Sequence, residues 1–159
     1  MTTKPIQNFY PDAAAVCYGC GRHNEQGHHI QTFWDGTFGI ARFTPKNYHM
    51  GYPGFVYGGL IASIIDCHAM GTAIAAKYEA LGIEPSDDTE VTAVTGNLNV
   101  SYRKPTPMGV ELVFKAQIKA LHERKAIVTC SVYADDLETV QSETIAVYVP
   151  SRMTMGDKK

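Results

Sequence analysis

At 159 residues, with 45% hydrophobic and 19% charged content, the chain has the size and balance of one globular domain with a real core. A formal net charge of -2 and a pI near 6.3 remove the electrostatic case for a nucleic acid or anionic membrane partner. Residues 1–12 lack a basic start followed by an apolar run, so no signal peptide is expected. Four cysteines without an export signal point to a reducing cytoplasm rather than a disulfide framework.

In chain order, residues 1–16 are polar and interrupted by proline, an N-terminal arm or short helix ahead of a domain spanning 17–150. Cys17-Tyr18-Gly19-Cys20-Gly21 follows, then a polar turn through Asn24 and Gly27. With His23, His28 and His29 the Cys17/Cys20 pair resembles half of a zinc site. No second ligand pair stands at regular spacing, so no metal or other cofactor is assigned. Ile30, Thr32 and Trp34 fall on one face of an extended run, with Gln31 and Phe33 on the other. A second run covers Ile40 to Phe43, and Asp35-Gly36 between them predicts a hairpin. The aromatics Phe33, Trp34, Phe38 and Phe43 read as core residues. Pro45 to Pro53 is a loop that leads into the longest apolar stretch.

That stretch opens at Gly58-Gly59 and is apolar on every side to about Lys77, which predicts a helix buried all round. Asp66 and His68 interrupt it, so it is not expected to span a bilayer. Residues 83–89 form a solvated loop. Strands are then expected over 94–103 (Leu98, Val100 and Tyr102 on one side), 110–121, 126–133 and 139–149. The turns between them are Pro105 to Gly109, the tip His122 to Lys125, and Asp135-Asp136. Residues 151–159 read as a tail. The sum is an α+β fold, one long helix wrapped by a curved antiparallel sheet of about five to six strands.

The helix carries the chemistry. Backbone N–H groups at Gly58 and Gly59 open it at the positive end of its dipole, where a carbonyl oxygen can be held and stabilised as an oxyanion. A plain glycine turn into a helix explains the same two residues. Asp66 is a carboxylate in an apolar setting, either a catalytic group or a structurally satisfied one. Eight residues separate it from Gly58, about 12 Å along the axis. If both serve one reaction centre they come from two chains, which calls for a two-fold dimer. Ser63, one turn before Asp66, is within reach of a hydrogen bond to it. His68 points to another face and reads as a core or interface histidine, and Cys67 and Cys130 as core.

Pro53-Gly54-Phe55-Val56-Tyr57-Gly58-Gly59-Leu60-Ile61-Ala62-Ser63-Ile64-Ile65-Asp66 resembles the helix motif of hotdog-fold acyl-CoA thioesterases of the phenylacetate-pathway type. Asn97-Leu98-Asn99-Val100-Ser101-Tyr102-Arg103-Lys104-Pro105 is similar to the strand that follows in that family. The resemblance implies a hotdog fold, a homodimer or dimer of dimers, and hydrolysis of a small, medium-chain or aromatic acyl-CoA. It also implies roles: Gly58 as oxyanion donor, Gly59 as its neighbour, Asp66 as nucleophile or general base, and Thr95 as a hydroxyl that orients water. Two positions depart from the pattern, with Tyr57 where the family has His and Gly51 where some members have Asn. Tyr57 still offers one hydrogen bond. Arg103, Lys104 and Arg124 are candidates to meet the phosphates of coenzyme A, against the commoner reading of solvated surface charge. The rival functions are a non-catalytic acyl-CoA binding protein and, with less support, a hotdog hydratase.

Overall fold

The computed structural model describes residues 4–86 and 91–150. The expected tail at 151–159, and Asp87 and Asp88 of the expected loop, lie outside the described residues. In chain order the elements are β1 (Phe33–Trp34), β2 (Phe38–Phe43), α1 (Gly58–Leu81), β3 (Thr92–Tyr102), β4 (Leu112–Leu121), β5 (Lys125–Ala134) and β6 (Leu137–Val149). Short 3-10 turns precede β1 at Ile6–Phe9 and α1 at Asn47–His49. The six strands form one sheet in the order β1-β2-β4-β5-β6-β3, and every pair is antiparallel. α1 touches all six strands, so the sheet wraps the helix in the hotdog arrangement.

Alternation explains how the sheet does this. Ala126, Val128, Cys130, Val132 and Ala134 of β5 are buried, as are Leu112, Phe114 and Ala116 of β4 and Val140, Ser142, Thr144 and Ala146 of β6. These side chains line the face against α1, while their sequence neighbours face outward. Around the helix, Leu60, Ile61, Ile64, Ile65, Ala69 and Ala73 are also buried. The helix runs one turn beyond Lys77 and ends at Gly82, whose left-handed backbone (φ 67°) suits glycine and stops the coil. By length and apolarity alone α1 would reach across a bilayer. However, 78% of its most apolar window is buried inside the protein, and the sheet plays the part of the apolar solvent.

The first hairpin forms where expected. The Asp35 carboxylate accepts the amides of Thr37 (2.8 Å) and Phe38 (2.7 Å), and Gly36 takes the positive φ of the turn. Those two amides hold the Asp35 carboxyl below its ordinary pKa. Ile30, Thr32 and Trp34 are buried, although only Trp34 of the three is paired as strand. Of the four aromatics expected in the core, Trp34 is buried and Phe43 is partly buried against the core. Phe33 is exposed, and Phe38 lies at the surface beneath the Lys115 ammonium, 3.9 Å from its ring.

β3 departs from simple alternation. Its pairing with β6 shifts register between Thr95 and Asn97, a bulge at Gly96. A bulge reverses the phase of a strand. Ala93 and Thr95 before it and Leu98 and Val100 after it therefore all face the helix, although their numbers differ in parity. β3 pairs with β6 alone, which leaves an open edge with Val94 and Tyr102 exposed.

The N-terminal segment is packed rather than free. Ile6 is fully buried with Trp34, Ile74, Ala75, Ala76 and Tyr78, and its amide donates to the Thr32 carbonyl at 2.9 Å. It covers the C-terminal half of α1, which the sheet leaves open.

Candidate active site

α1 and β3 run antiparallel, and two hydrogen bonds link them. Near the helix start, the Tyr102 hydroxyl donates to the Gly58 carbonyl at 2.6 Å. Partial burial pushes the Tyr102 phenol above its ordinary pKa, so it stays a donor at neutral pH. Two turns further on, the Thr95 hydroxyl donates to Asp66 Oδ1. The bulge at Gly96 turns Thr95 toward the helix, and without that extra residue period-two alternation would point it away. Ser63 makes no bond to Asp66 among the described residues. The carboxylate is half-buried, with one oxygen held by Thr95.

The helix entrance is shaped by two tyrosines. Tyr57 is the N-cap residue without a side-chain cap, and its carbonyl accepts the amides of Leu60 (3.1 Å) and Ile61 (3.4 Å). The amides of Gly58 and Gly59 find no acceptor among the described residues, as expected for the first turn of a helix. A Cβ at Gly59 would lie 2.5 Å from the Tyr57 ring, and one at Gly58 would lie 3.1 Å from the Tyr102 ring. At both glycines an aromatic ring packs close over the backbone, so a side chain there would displace the ring. Gly51 packs in the same way, 3.0 Å from Tyr57 Cα by the position of its missing Cβ.

Asp66 and Thr95 stand at the wall of a cavity of about 520 Å³ between the N-terminal segment, α1 and the start of β3. Its lining is mainly apolar, with Ile6, Phe9, Met70, Ile74 and Val91. Cys17, Cys20 and Cys67 border the same space. Their sulfurs lie within 4.8 Å of one another, with Cys17 and Cys67 at 3.7 Å. Hydrogen bonds from the Cys20 and Cys67 thiols hold Cys17 far below the ordinary thiol range. Its role as donor to Cys17 pushes Cys20 up to about 12.

Among the residues singled out from sequence, the fold brings Asp66 to Thr95 and places Tyr57, Gly58 and Gly59 together at the helix entrance. Arg103 and Lys104, whose amides share the Thr139 carbonyl, follow Tyr102 at that same end. Arg124 lies at the other end, beside Glu123, whose carbonyl accepts Lys77 Nζ. Some 28 Å of helix separates Lys77 from Gly58. His23, His28 and His29 do not join the cysteines as ligands. His23 bonds Asp12 at 3.0 Å, and His28 stacks among Tyr18, Phe43 and His49. His68 is sealed in the core, with Nδ1 2.9 Å from the Thr32 hydroxyl and Nε2 3.2 Å from the Gly39 carbonyl. Burial lowers its pKa to about 4, so the ring is neutral, donating from Nε2 and accepting at Nδ1. Sequence reasoning missed the Tyr102 bond to Gly58, the lining role of Ile6 and Phe9, and the place of Cys67 in the thiol cluster. The Tyr-x-x-Pro spacing in the resembling strand was the one signal for Tyr102. The other two depend on how distant segments pack.

Comparison with known proteins agrees with this fold. The thioesterase superfamily pattern matches residues 53–141, which contain α1, β3, β4 and β5. Mouse acyl-coenzyme A thioesterase THEM4 is 34% identical over 110 residues, covering 69% of this chain and 42% of the mouse protein. The chain thus spans less than half the length of that relative. A thioesterase superfamily protein from Shewanella loihica PV-4, solved by crystallography, is 40% identical with a TM-score of 0.63, covering 76% of this chain and 91% of that one. The PaaI protein of the E. coli phenylacetic acid degradation operon shares the fold at 12% identity and a TM-score of 0.63, over 77% of this chain and 81% of that one.

Proposed function

Because the chain belongs to the thioesterase superfamily, by a match over more than half its length, we propose that it hydrolyses an acyl-CoA thioester to a free acid and coenzyme A, with Asp66 as general base or nucleophile. The observation that carries the reading is the Asp66 carboxylate, held by Thr95 at the wall of an apolar cavity of about 520 Å³. That volume lies within the range of small-molecule sites, and its lining suits a medium-chain or aromatic acyl group.

In this reading the acyl group enters the cavity and its carbonyl oxygen meets the free amide of Gly58, with that of Gly59 beside it. Charge that develops on that oxygen is stabilised by donors already oriented, at the positive end of a helix dipole. Gly58 and Asp66 of one chain stand about 12 Å apart along the axis, so the amides come from a partner subunit. The open edge of β3, which carries both Thr95 and Tyr102, is the surface on which such a homodimer forms. Asp66 attacks the carbonyl carbon or takes a proton from an attacking water that Thr95 helps orient. The C–S bond then breaks, and the thiolate leaves without strong acid assistance. Arg103 and Lys104 are the proposed contacts for coenzyme A phosphates, a role supported by their lying at the helix entrance while Arg124 lies at the far end. The proposed setting is the cytoplasm, where thiols stay reduced.

Tyr57 favours a second reading. Its ring lies over Gly59 where the resembling family has histidine, which suits an acyl-CoA binding protein without turnover. Thiol release from a panel of straight-chain and aromatic acyl-CoAs, with wild type beside Asp66→Asn, separates the two. Turnover in wild type that vanishes in the variant is the expected result. Binding without release in wild type overturns hydrolysis and leaves the binding function.

A further inference from the structure

The hydrolysis proposed above makes no use of the three thiols at the cavity wall, yet the chain is shaped around them. Residues 17–21 form a tight turn closed by the Gly21 amide on the Cys17 carbonyl at 2.8 Å. A Cβ at Gly21 would lie 2.4 Å from the Cys17 nitrogen, so the turn closes only around glycine. Cys67 reaches in from α1, one residue after Asp66. Its Sγ lies 2.2 Å from where a Cβ on residue 19 would stand. Glycine at 19 is therefore the condition for the third sulfur to enter the turn.

Zinc–sulfur bonds of about 2.3 Å at tetrahedral angles set neighbouring sulfurs about 3.8 Å apart. Cys17 and Cys67 already stand at 3.7 Å, and all three sulfurs lie within 4.8 Å of one another. We propose that Cys17, Cys20 and Cys67 form a three-thiolate site for a thiophilic divalent cation of the zinc class, with water completing the coordination on the cavity side. The thiols lose their protons to solvent as the cation binds, so uptake weakens as pH falls. The site is independent of whether the chain hydrolyses thioesters. A cation there cross-links the 17–21 turn to α1 and fixes the wall of the cavity next to Asp66. A Cys17–Cys67 disulfide would use two of the three sulfurs and leave the buried Cys20 thiol beside them without a role.

The test is Co²⁺ titration of the reduced, metal-free full chain purified without a polyhistidine tag, with zinc content measured on the protein as isolated. The expected result is a thiolate-to-cobalt charge-transfer band that saturates near about one equivalent per chain and is displaced by Zn²⁺. The band should persist in Cys130→Ser, whose thiol lies in the sheet core, and be lost in Cys67→Ser and Cys20→Ser. Absence of the band in reduced wild type would overturn the proposal, and so would an undiminished band in Cys67→Ser. Isolation of a Cys17–Cys67 disulfide whose reduced form takes up no cobalt would replace the metal site with a redox pair.

Discussion

The flank of α1 that carries Asp66 faces the edge strand β3 and a cavity, whereas the flank that carries His68 faces the first hairpin and is closed. On the first flank a half-buried carboxylate has one oxygen bound to Thr95 and, among the described residues, the rest of its hydrogen-bonding capacity open. On the second, Gln7, Thr32, His68 and the Gly39 carbonyl form a buried chain of hydrogen bonds that tie the N-terminal segment, the hairpin and the helix together. Both residues are polar interruptions of one apolar helix, two positions apart. The closed network stabilises the fold by satisfying each buried group. The open site keeps capacity that a substrate can use. Polarity inside an apolar helix therefore marks function only where the partners are incomplete.

The sharpest test of this contrast is Asp66→Asn, which should reduce turnover by about 10³-fold while leaving the midpoint of urea unfolding unchanged. A large loss of stability in that variant would place Asp66 with the structural network and dissolve the distinction. His68→Ala should do the reverse, costing about 3 kcal/mol in chemical denaturation with little change in turnover per folded molecule. The same residue gives a pH signature. Its pKa is about 4 in the folded protein against 6.5 ordinarily, so the unfolded chain takes up the proton first as the solution is acidified. Stability from this group is complete above about pH 6.5 and declines toward pH 4, by roughly 3 kcal/mol in total. Urea titrations across that range should show the decline in wild type and a flatter profile in His68→Ala.

Thr95→Ala should lower kcat about tenfold, since it removes the hydroxyl that holds the carboxylate and leaves the carboxylate itself. An unchanged kcat would reduce Thr95 to a packing residue. Tyr102→Phe deletes one partly exposed hydrogen bond to the Gly58 carbonyl and keeps the ring over the glycine. It should cost about 1 kcal/mol of stability, read by thermal or urea unfolding. A larger fall in kcat than in stability would show that Tyr102 positions the helix entrance for chemistry.

Much of the fold was legible because the periodicities are strong. The all-apolar run from Gly58, the alternation in β4, β5 and β6, and Asp35-Gly36 each have one physical solution, and the structure adopts it. The aromatics were less readable, since Phe33 and Phe38 sit on the outward face of a hairpin only a few residues long. Thr95 entered through resemblance alone. Alternation read from Leu98, Val100 and Tyr102 puts Thr95 on the wrong face, and only the bulge at Gly96 reverses that.

The sequence by itself determined the helix, the succession of strands along the chain and the presence of a carboxylate in an apolar setting, because these follow from local pattern and from the cost of burying charge. The meander it suggested places β3 beside β4, whereas the structure pairs β3 with β6 instead. The sequence also determined that Gly58 and Asp66 of one chain stand too far apart to share a carbonyl, because helical rise is fixed. The tertiary structure alone decided that Ile6 and Phe9 wall a cavity and that Tyr102 caps the Gly58 carbonyl. It alone decided that Cys67 meets Cys17 and Cys20 across 50 residues while the histidines nearer in sequence turn elsewhere. Such contacts join segments far apart in the chain, and their partners are chosen by the packing of the whole rather than by any local repeat.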